Sequence, residues 1–116
     1  MKGFVKVMKA LSDPRRIAIL KMLQRRRMCV REIQRALQIP QPSVSKHLKV
    51  LGNAGLVTSQ KDGLWVNYRI SEGSNSPYVA TVLRSFRNWL EDDAQLAEIL
   101  RKLPSIRREN LGAYKK

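Results

Sequence analysis

One stretch of the sequence places base-recognising side chains along a single edge of a predicted helix. Val44, Leu48 and Leu51 recur at helical spacing, so they form a buried stripe and leave the opposite side polar. A glutamine amide can bond adenine twice, serine hydroxyls adapt to several bases, and a lysine reaches guanine or phosphate. We therefore expect base contacts from Gln41, Ser43, Ser45 and Lys46.

Cationic side chains near this helix suit phosphate oxygens, which fix a protein on a duplex without reading its sequence. We assign this role to Lys49, Arg31, Arg35 and the N-terminal arginines. Lys61 and Arg69, on a predicted hairpin, would reach a groove or the backbone, with a solvated hairpin as the alternative. His47, the only histidine, lies beside the buried stripe, where bonding to backbone or phosphate is favoured over metal ligation.

The charge balance points to the same class of partner. The 116 residues include 23 Lys and Arg against 9 Asp and Glu, a net charge of +14. Residues 1–37 hold eleven basic and two acidic side chains, so the excess lies toward the N-terminus. Such a field attracts polyanions, nucleic acids above all, although a merely solvated basic surface is the alternative.

Four helices and a hairpin position these residues. A first helix ends near Ser12, Asp13 and Pro14 begin a second, and a third carries Val30, Ile33, Ala36 and Leu37. The prolines at 40 and 42 separate it from the polar-edged helix, which Gly55 caps. Asp62-Gly63 between two β-rich runs predicts a hairpin. The fold class is mainly α with a small β-hairpin, a winged helix-turn-helix of order α-α-α-α-β-β-α.

A last amphipathic stripe begins at Val79 and is interrupted, if at all, near Asp92-Asp93. It exceeds what one small core needs. We therefore expect a homodimer through the first and last helices, with intramolecular packing as the alternative. The predicted interface residues are Phe4, Val7, Leu11, Val82, Phe86 and Trp89. Residues 1–104 would form one DNA-binding and dimerisation domain, and residues 105–116 a flexible basic tail.

Several classes of protein are disfavoured. Cys29 is the only cysteine, so no intrachain disulfide can form, which fits a reducing cytoplasm. Lysines interrupt the N-terminus where a signal peptide needs an apolar run, and no stretch is long enough to span a membrane. No nucleophile has a nearby base and no glycine-rich phosphate loop is present, so we do not expect an enzyme.

Four blocks of sequence, in this order and spacing, resemble the ArsR/SmtB family of bacterial repressors across about residues 4–100. They are ALSDPRRI from Ala10, QPSVSKHLKVL from Gln41, AGLV from Ala54 and DGLWVNYR from Asp62. The resemblance implies a symmetric dimer that binds double-stranded operator DNA at a promoter and leaves it when an inducer binds. That inducer is often a metal or metalloid ion, which would make the regulated operon one of arsenic or metal resistance.

One departure from the family bears on the inducer. Many of its arsenic and metal sensors hold the ion with two cysteines one residue apart, and here Cys29 matches the first while Arg31 replaces the second. A guanidinium has no lone pair to donate to a soft ion. Glu91, Asp92 and Asp93 occur without a histidine and suit a solvated acidic patch better than a second family metal site. We therefore expect no required cofactor, and Cys29 is only a minor candidate as an inducer ligand.

Two functions remain in competition on the sequence. The first is a sequence-specific transcriptional repressor of a nearby operon. The second is a protein that binds nucleic acid by shape, or scaffolds an assembly, without an inducer. The polar N-terminal end of the helix from Gln41 discriminates between them, because only the first function needs base contacts there.

Overall fold

The structure, a computed structural model, describes residues 1–72 and 76–107. Within these ranges it contains six α-helices and one three-stranded sheet. The helices are α1 (Lys2–Ala10), α2 (Pro14–Arg25), α3 (Val30–Leu37), α4 (Gln41–Asn53), α5 (Pro77–Phe86) and α6 (Ala94–Lys102). The strands are β1 (Met28–Cys29), β2 (Val57–Asp62) and β3 (Trp65–Ile70), and a 3-10 turn covers Leu103–Ser105.

Local signals set the ends of the central helices. The Asp13 carboxylate accepts a hydrogen bond of 2.8 Å from the Arg15 N–H, which caps α2 as predicted. Gln38 adopts a left-handed conformation with φ of 57°, which ends α3 just before Pro40. At the end of α4, Gly55 has φ of 82°, which confirms the predicted glycine cap.

The core lies between the helix-turn-helix and the sheet. Its largest fully buried side chains come from α1, α2, β1, α3, α4, the start of the hairpin and α5. They are Val7, Ile19, Leu20, Met22, Met28, Ile33, Val44, Leu51, Leu56 and Val79. Within α4, Val44, Leu48 and Leu51 are at most 2% exposed, which confirms the predicted stripe. Burial of these apolar groups therefore fixes which edge of α4 remains outside.

The hairpin follows the prediction with two differences. Strands β2 and β3 pair antiparallel from Val57↔Ile70 to Asp62↔Trp65, so the two-residue turn is Gly63-Leu64 and not Asp62-Gly63. Gly63 has φ of 64°, the conformation that the first position of a type II′ turn requires. Strand β1 was not predicted, because two residues are too short to show a period. It pairs with β3 through Met28↔Tyr68 and gives the sheet order β1-β3-β2.

The C-terminal stripe is divided into two helices. Helix α5 ends at Phe86, and Asp93 caps the start of α6 by accepting a bond of 2.9 Å from the Leu96 N–H. The Asp92-Asp93 break is therefore present, although the non-helical segment begins at Arg87, five residues before Asp92. Glu91 and Asp93 are not simply a solvated acidic patch, since Glu91 pairs with Lys21 at 2.9 Å.

The folded body extends beyond the predicted boundary at residue 104. Ile106 is buried, and its carbonyl accepts a hydrogen bond from the Arg26 guanidinium. Residues 105–107 therefore belong with the body, whereas the rest of the predicted tail, residues 108–116, lies outside the described residues. In the part of the chain that the structure describes, no helix combines the length and apolar character needed to cross a membrane.

Candidate nucleic-acid interface

Helix α4 exposes most of the side chains predicted to contact bases. Gln41, Ser45, Lys46 and Lys49 are exposed and Ser43 is half-buried, so the polar edge faces outward along the first two turns. In helix-turn-helix proteins, the N-terminal part of the second helix meets the base edges in the major groove. The structure therefore brings these predicted side chains to one continuous outer edge.

His47 was among the predicted DNA contacts, but its side chain is buried in the protein, which corrects that prediction. It is 8% exposed. The Arg16 guanidinium lies 3.2 Å from its Nδ1, and because arginine is only a donor, this nitrogen accepts the bond. Burial, together with the positive charges of Arg16, Arg15 and Lys46, lowers the pKa of His47, while the Asp13 carboxylate acts in the opposite direction.

Arg16 is a positioning residue that sequence reasoning missed. Its guanidinium donates to the Ala10 carbonyl at 2.8 Å and to the Lys9 carbonyl at 3.1 Å, as well as to His47 of α4. Arg16 thus joins the end of α1 to the middle of α4. By sequence alone Arg16 belongs with the N-terminal arginines predicted to contact phosphates, because nothing in the sequence distinguishes it from its neighbour Arg15.

Helix α3 adds polar and cationic groups beside the N-terminus of α4. Arg31, Gln34, Arg35 and Gln38 line a depression that also borders Gln41. Arg35 is exposed and Arg31 half-buried. The predicted phosphate contacts on α3 therefore lie next to the predicted base contacts on α4, which is the arrangement that a duplex needs.

The two predicted hairpin contacts lie in different places. Lys61 is exposed close to the Gly63-Leu64 turn, and its contact with DNA stays a prediction. Arg69 is half-buried at the other end of β3 and lines a cleft with residues of α2 and α5. It is therefore not on the outward hairpin surface, because the sheet turns its side chain toward the protein body.

The predicted dimer residues divide in the same way. Val7, Val82 and Phe86 are buried within the chain's own core, so the fold already uses their apolar surface. Leu11 is half-buried and packs against that core, whereas Phe4 and Trp89 are exposed. A self-association surface at α1 and α5 stays a prediction. Of the six predicted residues, Phe4 and Trp89 leave the most apolar side-chain surface exposed for it.

Cys29 lies at the junction between β1 and α3. It is 3% exposed, and its N–H donates to the Glu32 carboxylate at 2.9 Å. Burial, reinforced by the negative charge of Glu32, raises the pKa of its thiol. Among residues 1–72 and 76–107, no three histidine, cysteine or acidic side chains gather closely enough to hold a metal ion.

Comparison with known proteins agrees with this architecture. A sequence profile described as "Bacterial regulatory protein, arsR family" matches residues 13–59, which run from the cap of α2 into β2. The chain is 33% identical over 99 residues to the arsenic resistance transcriptional regulator ArsR1 of Pseudomonas putida, covering 80% of this chain and 77% of that protein. It is 46% identical over 66 residues to the repressor SmtB of Mycobacterium tuberculosis, with 57% of this chain matched.

The match spans about half (49%) of the length of SmtB. Among solved structures, the homodimeric winged helix-turn-helix DNA-binding domain Mb0332 of Mycobacterium bovis superposes with a TM-score of 0.63. That match covers 92% of this chain and 86% of the other at 24% identity, a likeness of fold. The relatives are transcriptional regulators. With the fold, the exposed edge of α4 and the extent of the ArsR1 match taken together, the chain belongs to the ArsR family of bacterial regulatory proteins.

Proposed function

We propose that this protein is a sequence-specific DNA-binding repressor of transcription that acts in the cytoplasm and catalyses no reaction. One observation carries the proposal: α4 buries Val44, Leu48 and Leu51 completely and turns its polar edge outward. The buried face anchors such a helix to the core, while the hydrogen-bonding groups of its exposed face remain available to DNA. The relatives named above are repressors and regulators, which supports the same role.

The surroundings of α4 supply the affinity that base contacts alone do not. Lys46 and Lys49 on α4, Arg35 on α3 and Lys61 near the hairpin tip are all exposed. Each phosphate neutralised by such a group releases condensed counter-ions, so affinity should fall steeply with salt. The net charge of +14 acts in the same direction over longer distances.

A second copy of the chain is the partner we propose for the face formed by α1 and the start of α5. Phe4, Val5 and Met8 of α1 are exposed, as is Tyr78 of α5, whose ring meets that of Phe4 edge-on at 5.2 Å. An exposed apolar face of this kind is typical of an association surface. The homodimer of Mb0332 supports a second copy as the occupant, and a dimer would present two α4 helices to two half-sites.

We propose further that DNA binding needs no cofactor and that arsenite does not release the complex through a pair of thiolates. Cys29 is buried with a raised thiol pKa, and Arg31 stands where related sensors have their second cysteine. Adding arsenite to the complex should therefore leave operator affinity unchanged. Release by arsenite that Cys29→Ser abolishes would contradict this part and would support arsenic resistance as the regulated process.

The repressor proposal is tested by selecting bound duplexes from a random pool and measuring affinities for the best sequence and a scrambled one. Gln41→Ala and Ser45→Ala should each reduce the difference in binding free energy between the selected and the scrambled duplex by about 1–3 kcal/mol. Lys49→Ala should weaken both duplexes alike and flatten the salt dependence, while the charge-matched control Lys102→Ala on α6 should change neither. Equal affinity for all duplexes at moderate salt would instead favour binding without sequence preference.

A further inference from the structure

A cleft between α2, the end of β3 and α5 lies away from the proposed DNA-binding surface. Its volume is about 870 Å³, within the usual range of small-molecule sites. None of its lining residues belongs to α3, α4 or the hairpin turn. Arg69, in its wall, is six residues along the chain from Gly63, about 20 Å for an extended strand. The proposed DNA contacts on α3, α4 and the hairpin turn therefore leave this cleft unused.

The walls of the cleft are strongly cationic. Five arginines face a single unpaired carboxylate, that of Glu72. They are Arg25, Arg27, Arg69, Arg84 and Arg87. In the two described ranges, none of these five guanidinium groups forms an ion pair. The other cations of the lining are already neutralised, because Lys21 pairs with Glu91 and Arg26 with Glu32. Among the described residues of the lining, Glu72 is therefore the one carboxylate left to offset five positive charges.

One of the five arginines, Arg69, has a hydrogen-bond donor that is not satisfied. Its Nε is shielded from solvent and has no hydrogen-bond partner in the part of the chain that the structure describes. A buried donor left without an acceptor costs about 1–3 kcal/mol. Arg69 thus stands in the wall of the cleft with an unsatisfied donor, and its guanidinium adds to the positive charge that an anion in the cleft would meet.

The floor of the cleft is apolar. Ile70 and Leu100 are half-buried and give the floor its exposed apolar surface, while Leu23, Val79 and Leu83 lie beneath it, almost fully buried in the core. A floor of this kind favours a ligand that carries hydrocarbon as well as charge. Inorganic phosphate or a DNA backbone would satisfy the walls and leave the floor uncovered.

We propose that this cleft binds a small organic anion with a phosphate or carboxylate group and a compact apolar body. The arginines bind the anionic group, with Arg69 at the inner wall and Arg84 and Arg87 at the α5 edge. The apolar body lies on the leucine and valine floor. Neither the site nor its calorimetric test depends on DNA binding.

The test is calorimetric titration with phenyl phosphate, which has both chemical features, and with inorganic phosphate, which has only the charge. Phenyl phosphate should bind more tightly than inorganic phosphate. The double variant Arg84→Ser, Arg87→Ser should weaken phenyl phosphate at least about tenfold, because hydrogen bonds to charged groups contribute strongly. The control double variant Arg35→Ser, Lys61→Ser removes the same charge outside the cleft and should leave its affinity unchanged.

Two further measurements keep the proposal falsifiable. Amide resonances of β3 and α5 should shift on titration with phenyl phosphate, and those of α4 should not. A random-sequence duplex at saturation should leave phenyl phosphate bound. The proposal is overturned if both double variants weaken binding equally, if inorganic phosphate binds as well as phenyl phosphate, or if the duplex displaces it. The last result would assign the arginines to DNA phosphates.

Discussion

Helix α4 and helix α5 are both amphipathic, yet they end for different reasons. At the end of α4, Gly55 takes a left-handed conformation and the Leu56 N–H bonds back to the Leu51 carbonyl at 3.0 Å. This signal is local and readable from the sequence. No glycine or proline occurs from Arg87 to Asp93, so α5 lacks any such signal where it stops.

A distant lysine terminates α5 instead. The ammonium of Lys21, which is 5% exposed on α2, donates to the Phe86 carbonyl at 2.8 Å and the Trp89 carbonyl at 2.9 Å. It also pairs with Glu91 at 2.9 Å. The chain then passes through Leu90 with φ of 62°, a conformation that non-glycine residues rarely adopt. One helix is thus ended by its own sequence and the other by a tertiary contact.

Replacing Lys21 should give the largest effect of the changes considered. Lys21→Met leaves two carbonyls without their donor, so the free energy of unfolding should fall by about 2–4 kcal/mol, measured by urea denaturation. The partner variant Glu91→Gln should cost less than about 1 kcal/mol, because the Glu91 side chain is 61% exposed. Equal losses in the two variants would mean that the ion pair, and not the carbonyl contacts, holds the end of α5.

A variant of Arg16 tests whether the position of helix α4 also depends on a contact between residues far apart in the sequence. Arg16→Met removes donors to the Lys9 and Ala10 carbonyls and to His47, so we expect a loss of about 1–3 kcal/mol in thermal unfolding. The neighbouring Arg15→Met is the matched control, since the Arg15 side chain is exposed and, within residues 1–72 and 76–107, only the backbone of Arg15 forms a hydrogen bond. Indistinguishable stabilities of the two variants would remove Arg16 as the residue that positions α4.

The smallest expected effect is a pH dependence from His47. Because its pKa is lowered in the folded protein, the unfolded chain binds the proton more readily. The stability gained from keeping His47 neutral is complete above the ordinary histidine pKa of about 6.5. It is lost as the pH falls through the pKa of His47 in the folded protein. Denaturation between pH 7 and pH 5 should show a smaller decline for His47→Gln than for the parent. Parallel curves for the two proteins would argue against a neutral, buried His47.

These contrasts explain what the sequence could predict. The Asp13 cap, the glycine after α4, the hairpin and the polar edge of α4 depend on residues close together in the chain, and each was predicted. The turn was displaced by one residue because Asp62 is compatible with either the turn or the last strand pair. The short strand β1 shows no period of its own and exists only by pairing with β3.

The differences at the site residues concern where a side chain points after distant elements pack. His47 and Arg69 were expected at the DNA, but the packing of α2 and the sheet turns them toward the protein body. Val7, Val82 and Phe86 were expected between two copies because apolar residues carry no label that distinguishes a core from an interface. Periodicity identifies a buried face and cannot name what covers it.

The most direct test of the central claim asks whether the exposed edge of α4 lies against DNA. The variant Ser45→Cys in a Cys29→Ser background places one thiol there, and its alkylation rate is measured with and without the selected duplex. We predict strong protection by that duplex, while the same thiol placed on α6 by Glu98→Cys stays reactive. An unchanged alkylation rate at position 45 in a saturated complex would show that α4 does not face the bases.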